Sequence, residues 1–191
     1  MKTTKYQICV SGAARGDSVE QGQQLAAEAG RAIAAAGHAL LTGATTGLPE
    51  AAATGYKQAG GMSSLGISPA SSKVEHVLKY RLPTDAYDAI LYTGFHYTGR
   101  DALLINSADG VVSVGGRLGT LHEFTIAMET KTPFGLLLGA GGVSDEIQKL
   151  MEILPNAHKN LVIIDNNADS LVTKLTQLID KHNAHYLHIY E

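Results

Sequence analysis

The sequence lacks several features that would each assign it to a class of protein. It has one cysteine, Cys9, among 191 residues, so we expect no internal disulfide and a reducing, cytoplasmic environment. No apolar run approaches the roughly 18 residues of a membrane helix, and no signal peptide is recognisable. Basic residues form no block and the net charge is −3. We therefore expect neither a membrane nor a nucleic-acid partner.

Two common nucleotide-binding signatures are also missing. No glycine loop is followed by the Gly-Lys-Ser/Thr of a P-loop, and no G-x-G-x-x-G follows the first predicted strand. These absences disfavour an ATPase or an ordinary NAD enzyme, and we predict no bound cofactor. His182, His185 and His188 recur every three residues. A break between a helix and a strand is expected within them, so we predict no metal site.

Short apolar segments alternate with helical segments along the whole chain. Hydrophobic residues make up 45% of the sequence and charged residues 17%, which indicates a globular protein. The predicted strands cover residues 6–11, 38–42, 62–68, 89–93, 109–114, 133–138 and 161–165. The predicted helices cover residues 18–36, 49–59, 98–108, 119–130, 144–153 and 169–182. This alternation predicts one α/β domain over residues 1–191, with a doubly wound, mostly parallel sheet of about seven strands.

Two helix caps and two irregular segments are also predicted. Ser18 and Ser144 are predicted to cap the helices that they begin. Residues 69–88 have no clear period and are expected to form a connection with a short irregular or helical piece over the ligand site. Residues 185–190 alternate in polarity, which suits a final edge strand or an interface segment.

Four glycine loops follow predicted strands. They cover residues 12–16, 43–47, 115–119 and 139–142. In a parallel sheet all four lie at the edge formed by the carboxyl ends of the strands, where ligands bind in such folds. One such loop alone is weak evidence, because α/β turns need glycine for geometry. Four at one edge favour a ligand at one or more of them.

The stretch after the fifth predicted strand has the features of an anion site. Gly115 and Gly116 turn the chain, and Gly119 and Thr120 open a helix whose first N–H groups have no intrahelical partner. Glu123 is unexpected there, because a carboxylate repels an anion. It either completes a capping box with Thr120 or takes part in chemistry.

Arg100 is a second candidate for a functional charge. It stands near the start of a predicted helix, where the helix dipole disfavours a cation. This placement suggests either a ligand contact or a surface ion pair with Asp101. His96 and Tyr97 lie in the loop after the fourth predicted strand. They could stack on a base, cover the pocket, or form ordinary loop surface.

These motifs together resemble those of the LOG family. Gly115-Gly-Arg-Leu-Gly-Thr-Leu-His-Glu123 resembles its PGGxGTxxE signature, and Gly43-Ala-Thr-Thr-Gly-Leu-Pro-Glu50 is similar to its GGGxxGLMG loop. Ser11-Gly12 resembles its first glycine turn, and Thr98-Gly-Arg-Asp101 falls where the family has an Arg-Lys pair. The resemblance covers about residues 6–140, with the elements in the same order.

The resemblance implies a Rossmann-like, three-layer αβα sandwich and a homodimer. It implies a phosphoribohydrolase that cleaves the N-glycosidic bond of an AMP-like nucleoside 5′-monophosphate, giving free base and ribose 5-phosphate. Arg100 and Glu123 match the catalytic residues of the family. The residues that would bind the nucleotide and its phosphate are Gly12, Gly43, Gly47, Gly115, Gly116, Arg117, Gly119 and Thr120.

The sequence departs from the family pattern at three places. Val114 replaces the proline of the signature, and Asp101 stands where lysine is usual. Arg117 and Leu118 put two residues where the family has one, so the phosphate loop is longer. Arg117 could supply compensating positive charge. Alternatively, the altered loop indicates a non-catalytic nucleotide or cofactor binder, a role held in the superfamily by molybdenum cofactor carriers.

Overall fold

The fold is built on a seven-stranded parallel sheet, as seen in a computed structural model that describes residues 5–154 and 158–189. The strands are β1 (Gln7–Gly12), β2 (Ala39–Thr42), β3 (Ser64–Ser68), β4 (Ala89–Tyr92), β5 (Gly110–Val114), β6 (Phe134–Leu137) and β7 (Val162–Asp165). Their order is β4-β3-β2-β1-β5-β6-β7, and every neighbouring pair is parallel. This confirms the predicted Rossmann-like α/β fold.

Within the described ranges, six α-helices cover the two faces of the sheet. They are α1 (Asp17–Ala35), α2 (Leu48–Gln58), α3 (His96–Asn106), α4 (Leu118–Thr130), α5 (Val143–Ile153) and α6 (Ala168–His182). One apolar core lies under α1, α2 and α6, and a second lies under α3, α4 and α5. Both faces are therefore buried, which explains why β5, the neighbour of the central strand β1, is apolar nearly throughout and fully buried.

The predicted serine caps of two helices are wrong. The N-cap residues of α1 and α5 are glycines, and neither helix has a side-chain cap. Ser18 is the second residue of α1, and its hydroxyl accepts a hydrogen bond from the Gly116 N–H at 3.4 Å. Ser144 is the second residue of α5, and its hydroxyl pairs with that of Ser113 at 2.6 Å. Both serines thus tie their helices to β5 and the loop that follows it.

The chain winds in opposite directions on the two sides of β1. Strands β2 to β4 extend the sheet to one side, while β5 to β7 extend it to the other. The loops that leave the carboxyl ends of β1 and β5 therefore separate and open a crevice. Such a switch point is where an α/β sheet binds ligands.

Residues 69–88 contain the short helical piece that the sequence predicts. It is a π-helix, Glu75–Lys79. His76 fixes it to the fold, because its buried ring lies between the Ser68 hydroxyl, 2.8 Å from Nδ1, and the Pro83 carbonyl, 2.9 Å from Nε2. This connection is thereby held at the carboxyl end of β3.

Of the two alternatives for residues 185–190, an edge strand or an interface segment, the edge strand is wrong in its described part. A turn follows α6, and Leu187–Ile189 form one turn of 3-10 helix. The backbone hydrogen bonds of this segment are local. The Tyr186 N–H donates to the Asn183 carbonyl, and the Ile189 N–H donates to the Tyr186 carbonyl. Tyr190 lies outside the described residues. Over residues 5–154 and 158–189, no helix has the length and apolar character needed to cross a membrane.

Candidate functional site

A cavity of about 440 Å³ opens at the switch point between β1 and β5. Its walls come from the loops after β1 and β2, the connection before β4, and the helices α3 and α4. The lining residues are Gly12, Ala13, Ala14, Arg15, Thr45, Thr46, Leu82, Tyr97, Arg100, Asp101, Arg117, Leu118, Gly119, Thr120 and Glu123. The site therefore lies at the edge of the sheet where the glycine loops were predicted to converge.

The structure brings most of the predicted site residues to this cavity. Six line it, including both predicted catalytic residues: Gly12, Arg100, Arg117, Gly119, Thr120 and Glu123. Four do not: Gly43, Gly47, Gly115 and Gly116. Of these, Gly116 lines a neighbouring cavity of about 590 Å³, which shares Arg117 with the first.

The glycine loop after β2 shapes the site from behind. At Gly47 φ is +77°, and a side chain there would press to within 2.6 Å of the Ala13 carbonyl. At Gly43 a Cβ would overlap the guanidinium of Arg100. The structure thus shows these two glycines making room for protein groups, and places neither on the cavity wall.

The N-terminus of α4 offers free N–H groups to the cavity. Arg117 is its N-cap residue and no side chain caps the helix. The N–H groups of Leu118, Gly119 and Thr120 belong to the first turn, where an α-helix provides no acceptor. Gly116 turns the chain into this helix with φ of +104°, a conformation that glycine adopts readily. The arrangement suits an anion such as a phosphate.

Glu123 is buried in the floor of the cavity, with 6% of its surface exposed. The Ser11 hydroxyl, at the end of β1, donates a hydrogen bond to Glu123 Oε2. The capping box with Thr120 does not form. Burial raises the pKa of Glu123 to about 7, against the opposing charge of Arg100, and the nearby Asp101 carboxylate adds to the rise. A carboxyl group with this pKa can take up or release a proton near neutral pH.

Arg100 lies beside Glu123 but is held by other groups. Its Nε donates to Asp101 Oδ1 at 3.0 Å, and its Nη1 donates to the Ile67 carbonyl at 3.0 Å. No ion pair within 4.0 Å joins Arg100 to Glu123 in the described part of the chain. The pair with Asp101 was expected at the surface, yet both residues are buried. Helix α3 begins at His96, so Arg100 stands about one turn inside it.

Sequence reasoning missed five polar residues of the site. Three of them line the cavity in the loops after β1 and β2: Arg15, Thr45 and Thr46. The other two are Asp101 and Ser11. Asp101 accepts from Arg100 and also lies 2.9 Å, Oδ2 to Nδ1, from His122. Ser11 contacts Glu123 directly. The available signals were the position of Ser11 at the end of the first strand and the placement of His122 next to Glu123. Neither position reveals which carboxylate the side chain of Ser11 or of His122 contacts.

One tyrosine forms a wall of the cavity, and a second tyrosine packs against it. Tyr97 lines it, and the Tyr80 ring packs edge-on against Tyr97, with centroids 5.6 Å apart and planes at 79°. The Tyr80 hydroxyl lies 2.6 Å from Nδ1 of His96. Leu82 continues the wall. His96 itself does not line the cavity, so of the two loop residues only Tyr97 can meet a ligand there.

The charges around the cavity favour a phosphorylated ligand over a metal ion. Arg15, Arg100 and Arg117 contribute three cations, from three different segments, against the two carboxyl groups of Asp101 and Glu123. Among residues 5–154 and 158–189, no group of three or more histidine, cysteine, aspartate or glutamate side chains is placed to hold a metal ion. His182 ends α6 and His188 lies in the 3-10 turn beyond it.

A family model agrees with the arrangement of these elements. The model of the SLOG cluster4 family matches residues 5–172. An uncharacterized protein of Archaeoglobus fulgidus is 32% identical over 123 residues, which are 64% of this chain and 74% of that protein. The residues matched by the family model include every residue that lines the cavity.

Two solved structures with similar folds are molybdenum cofactor proteins. The molybdenum cofactor carrier protein of Chlamydomonas reinhardtii is 28% identical, with a TM-score of 0.73 over 92% of this chain and 98% of that one. The molybdenum cofactor binding protein of Rippkaea orientalis is also 28% identical, with a TM-score of 0.71 and the same coverage of both chains.

Proposed function

The chain belongs to the SLOG cluster4 family, and from that premise we propose that it is a nucleoside 5′-monophosphate phosphoribohydrolase. One observation carries the proposal. A single cavity contains an uncapped helix N-terminus, three arginines and a buried carboxyl group, Glu123, whose pKa is raised to about 7.

The 5′-phosphate binds at the start of α4 in this proposal. The N–H groups of Gly119 and Thr120 and the Thr120 hydroxyl are its hydrogen-bond donors, with Arg117 as the adjacent cation. Arg117 and Leu118 stand where the family has a single residue. Arg117 thus supplies positive charge at the point where the family pattern is altered. Glu123 then lies one helical turn beyond the phosphate, on the side of the sugar.

The reaction requires one carboxyl group and one water molecule. Water adds to C1′ of the ribose while the N-glycosidic bond breaks and its electron pair leaves with the base. Positive charge develops on the sugar in the transition state, and the Glu123 carboxylate stabilises it and accepts a proton from the attacking water. The base takes up a proton from solvent as it leaves, and Glu123 later releases the proton of the water to solvent, so one water is consumed overall. Arg100 favours the ionised form of Glu123 that this role needs.

The experiment measures the free base that the purified protein releases from AMP, GMP, IMP, CMP and UMP. We expect release from at least one of them, and a loss of about 100-fold or more in kcat for Glu123→Gln. Glu129→Gln is the matched control, because Glu129 is exposed on the same helix. If the wild-type protein releases no base from any nucleotide, the proposal is wrong.

A second candidate function is that of a non-catalytic carrier of a phosphorylated heterocycle. The similarity to two molybdenum cofactor proteins over 92% of the chain supports it, as does Asp101 at the position of the usual lysine. The same cavity would hold the phosphate on α4 and the flat ring beside Tyr97. The cofactor is then cargo, and Glu123 need not react.

Binding without turnover separates the two candidates. A carrier is expected to retain molybdenum, measured by mass spectrometry after gel filtration, when it is mixed with the cofactor. It should also gain thermal stability from the ligand. Glu123→Gln should then keep its affinity. Base release that depends on Glu123 would decide for the hydrolase.

We further propose that the protein acts in the cytoplasm as a homodimer. The single buried cysteine supports a reducing compartment. Apolar side chains exposed on β4 and α3 supply a surface for self-association.

A further inference from the structure

Two pairs of sequence neighbours meet beneath the cavity. Arg100 and Asp101 come from α3, and His122 and Glu123 come from α4. The Asp101 carboxylate, which is 4% exposed, bridges the two helices: Oδ1 accepts from Arg100 Nε at 3.0 Å, and Oδ2 lies 2.9 Å from His122 Nδ1. A bridge of this kind links the protonation of the histidine to the charge around Arg100.

Asp101 also fixes the orientation of Arg100. With Nε on Asp101 and Nη1 on the Ile67 carbonyl, Nη2 is the only guanidinium nitrogen without an acceptor in the described part of the chain. The guanidinium fits because Gly43 has no side chain to occupy its place. The N–H groups of Arg100 that remain for a ligand are therefore the two on Nη2 and the second one on Nη1.

The cluster contains two carboxyl groups and one permanent cation. When His122 is neutral, Asp101 and Glu123 compete for the charge of Arg100. When His122 is protonated, it neutralises Asp101, and the Arg100 charge is available to Glu123. The His122 side chain is 40% exposed, so solvent reaches this side of the cluster. Cys9 lies nearby on β1, but burial raises the pKa of its thiol and keeps it neutral.

We propose that Asp101 and His122 are positioning residues, which hold Arg100 in place and control how much of its charge reaches Glu123. The inference rests on the proposed function for its consequence in catalysis, since Glu123 is the reacting group there. The contacts on which it stands do not depend on that function.

Two substitutions should move the Glu123 titration in opposite directions. Asp101→Asn removes the negative charge that raises the pKa of Glu123, so its titration should shift to lower pH. His122→Gln removes the positive charge that lowers this pKa, so its titration should shift to higher pH. We expect the larger movement, about one unit, from Asp101→Asn.

The measurement is a ¹³C NMR titration of protein labelled at the glutamate side-chain carboxyl carbons. The Glu123 resonance is assigned by its loss in Glu123→Gln. Asp169→Asn and His182→Gln are matched controls, because both residues are exposed on α6, away from the cavity, and they should leave the titration unchanged. The pH profile of kcat should move with the titration in each variant.

Absence of a shift, or shifts of Asp101→Asn and His122→Gln in the same direction, would overturn the inference. Because the titration needs no turnover, its outcome is independent of the assay for base release. Opposite shifts in a protein that releases no base would uphold the charge coupling and overturn the proposed hydrolase.

Discussion

Glu123 is a buried acid whose ionisation opposes folding, and this cost has a defined pH range. Its pKa rises from 4.5 to about 7 on folding. Between these values the folded chain keeps a proton that the unfolded chain has lost, so the free energy of unfolding falls as pH rises. Below pH 4.5 the penalty is absent, and above about pH 7 it is complete.

Glu123→Gln should therefore be more stable than the wild type at pH 8, because glutamine is neutral at every pH. The gain should shrink through the interval from 7 to 4.5 and vanish below it. Thermal unfolding followed by circular dichroism from pH 4 to pH 8 measures the difference. Glu129→Gln, on the exposed face of α4, should show no such dependence. A constant difference between wild type and Glu123→Gln would contradict the burial argument.

Gly43 and Arg100 form a pair in which the glycine makes space for the cation. A Cβ at position 43 would overlap the guanidinium. Gly43→Ala should therefore destabilise the protein by about 1–3 kcal/mol, as overpacking does. In an Arg100→Ala background the same change should be close to neutral. A double-mutant cycle with urea unfolding measures the coupling. Equal losses in both backgrounds would contradict it.

The sequence singled out Arg100 and Glu123, which line the same cavity, but left their contacts open. Arg100 stood out because a cation is unfavourable near a helix start, and Glu123 because an acid is unexpected beside an anion site. Arg100 pairs with its neighbour Asp101, but its second partner, the Ile67 carbonyl, comes from β3. The partner of Glu123, Ser11, comes from β1. Such pairs depend on strand order and register, which local sequence patterns do not specify.

Among the elements, α4 provides the clearest test of phosphate binding. Gly119 lies in its first turn, and a Cβ there would meet no protein atom within 4 Å. Gly119→Ala should thus leave the fold intact and even favour the helix, by up to about 1 kcal/mol. If phosphate approaches these amides, the methyl group should weaken nucleotide binding at least 10-fold. Calorimetry with AMP and thermal unfolding of the free protein measure the two effects. An unchanged affinity would show that the phosphate does not bind at this helix.

The tyrosine wall provides the matching test for the base. Tyr97 lines the cavity and Tyr80 supports its ring. Stacking of a base on an aromatic side chain contributes about 1–3 kcal/mol. Tyr97→Ala should weaken AMP binding accordingly and leave ribose 5-phosphate binding unchanged, while Tyr97→Phe should preserve both. Equal losses for AMP and ribose 5-phosphate would show that Tyr97 does not contact the base.

Elements were predictable wherever the hydrophobic period was regular. In the described part of the chain, all seven strands and all six α-helices begin and end within two residues of their predicted bounds. Residues 69–88 lack a period, so the π-helix that supports Tyr80 could be expected only as some short helical piece. The serine caps failed because a serine beside a helix start has the same sequence signal whether it caps the helix or, like Ser144, bonds to a neighbouring strand.

At the scale of the whole molecule, the sheet order explains why residues far apart in sequence share one cavity. β1 lies between β2 and β5, so the loops after all three strands open at the same edge. Arg15 follows β1, Thr45 follows β2 and Arg117 follows β5, and all three line the cavity. The glycine loops predicted this convergence, because all of them follow strands of a parallel sheet.

The sheet ends at β4, and this edge is the expected site of self-association. Leu91 on β4 is exposed, as are Leu78 on the π-helix, Phe95 before α3 and Leu103 on α3. An open strand edge beside exposed apolar side chains favours pairing with a second copy. Light scattering during gel filtration should therefore give twice the chain mass of 20.1 kDa.

Leu91→Lys and Leu78→Lys should each shift the mass toward one chain, because a buried lysine opposes the contact. Ile153→Lys is the control, since Ile153 is even more exposed, at the end of α5, but lies on the other side of the sheet centre. A wild-type protein of 20.1 kDa in solution would contradict the dimer. Dissociation by Ile153→Lys alone would place the contact at α5, away from the β4 edge.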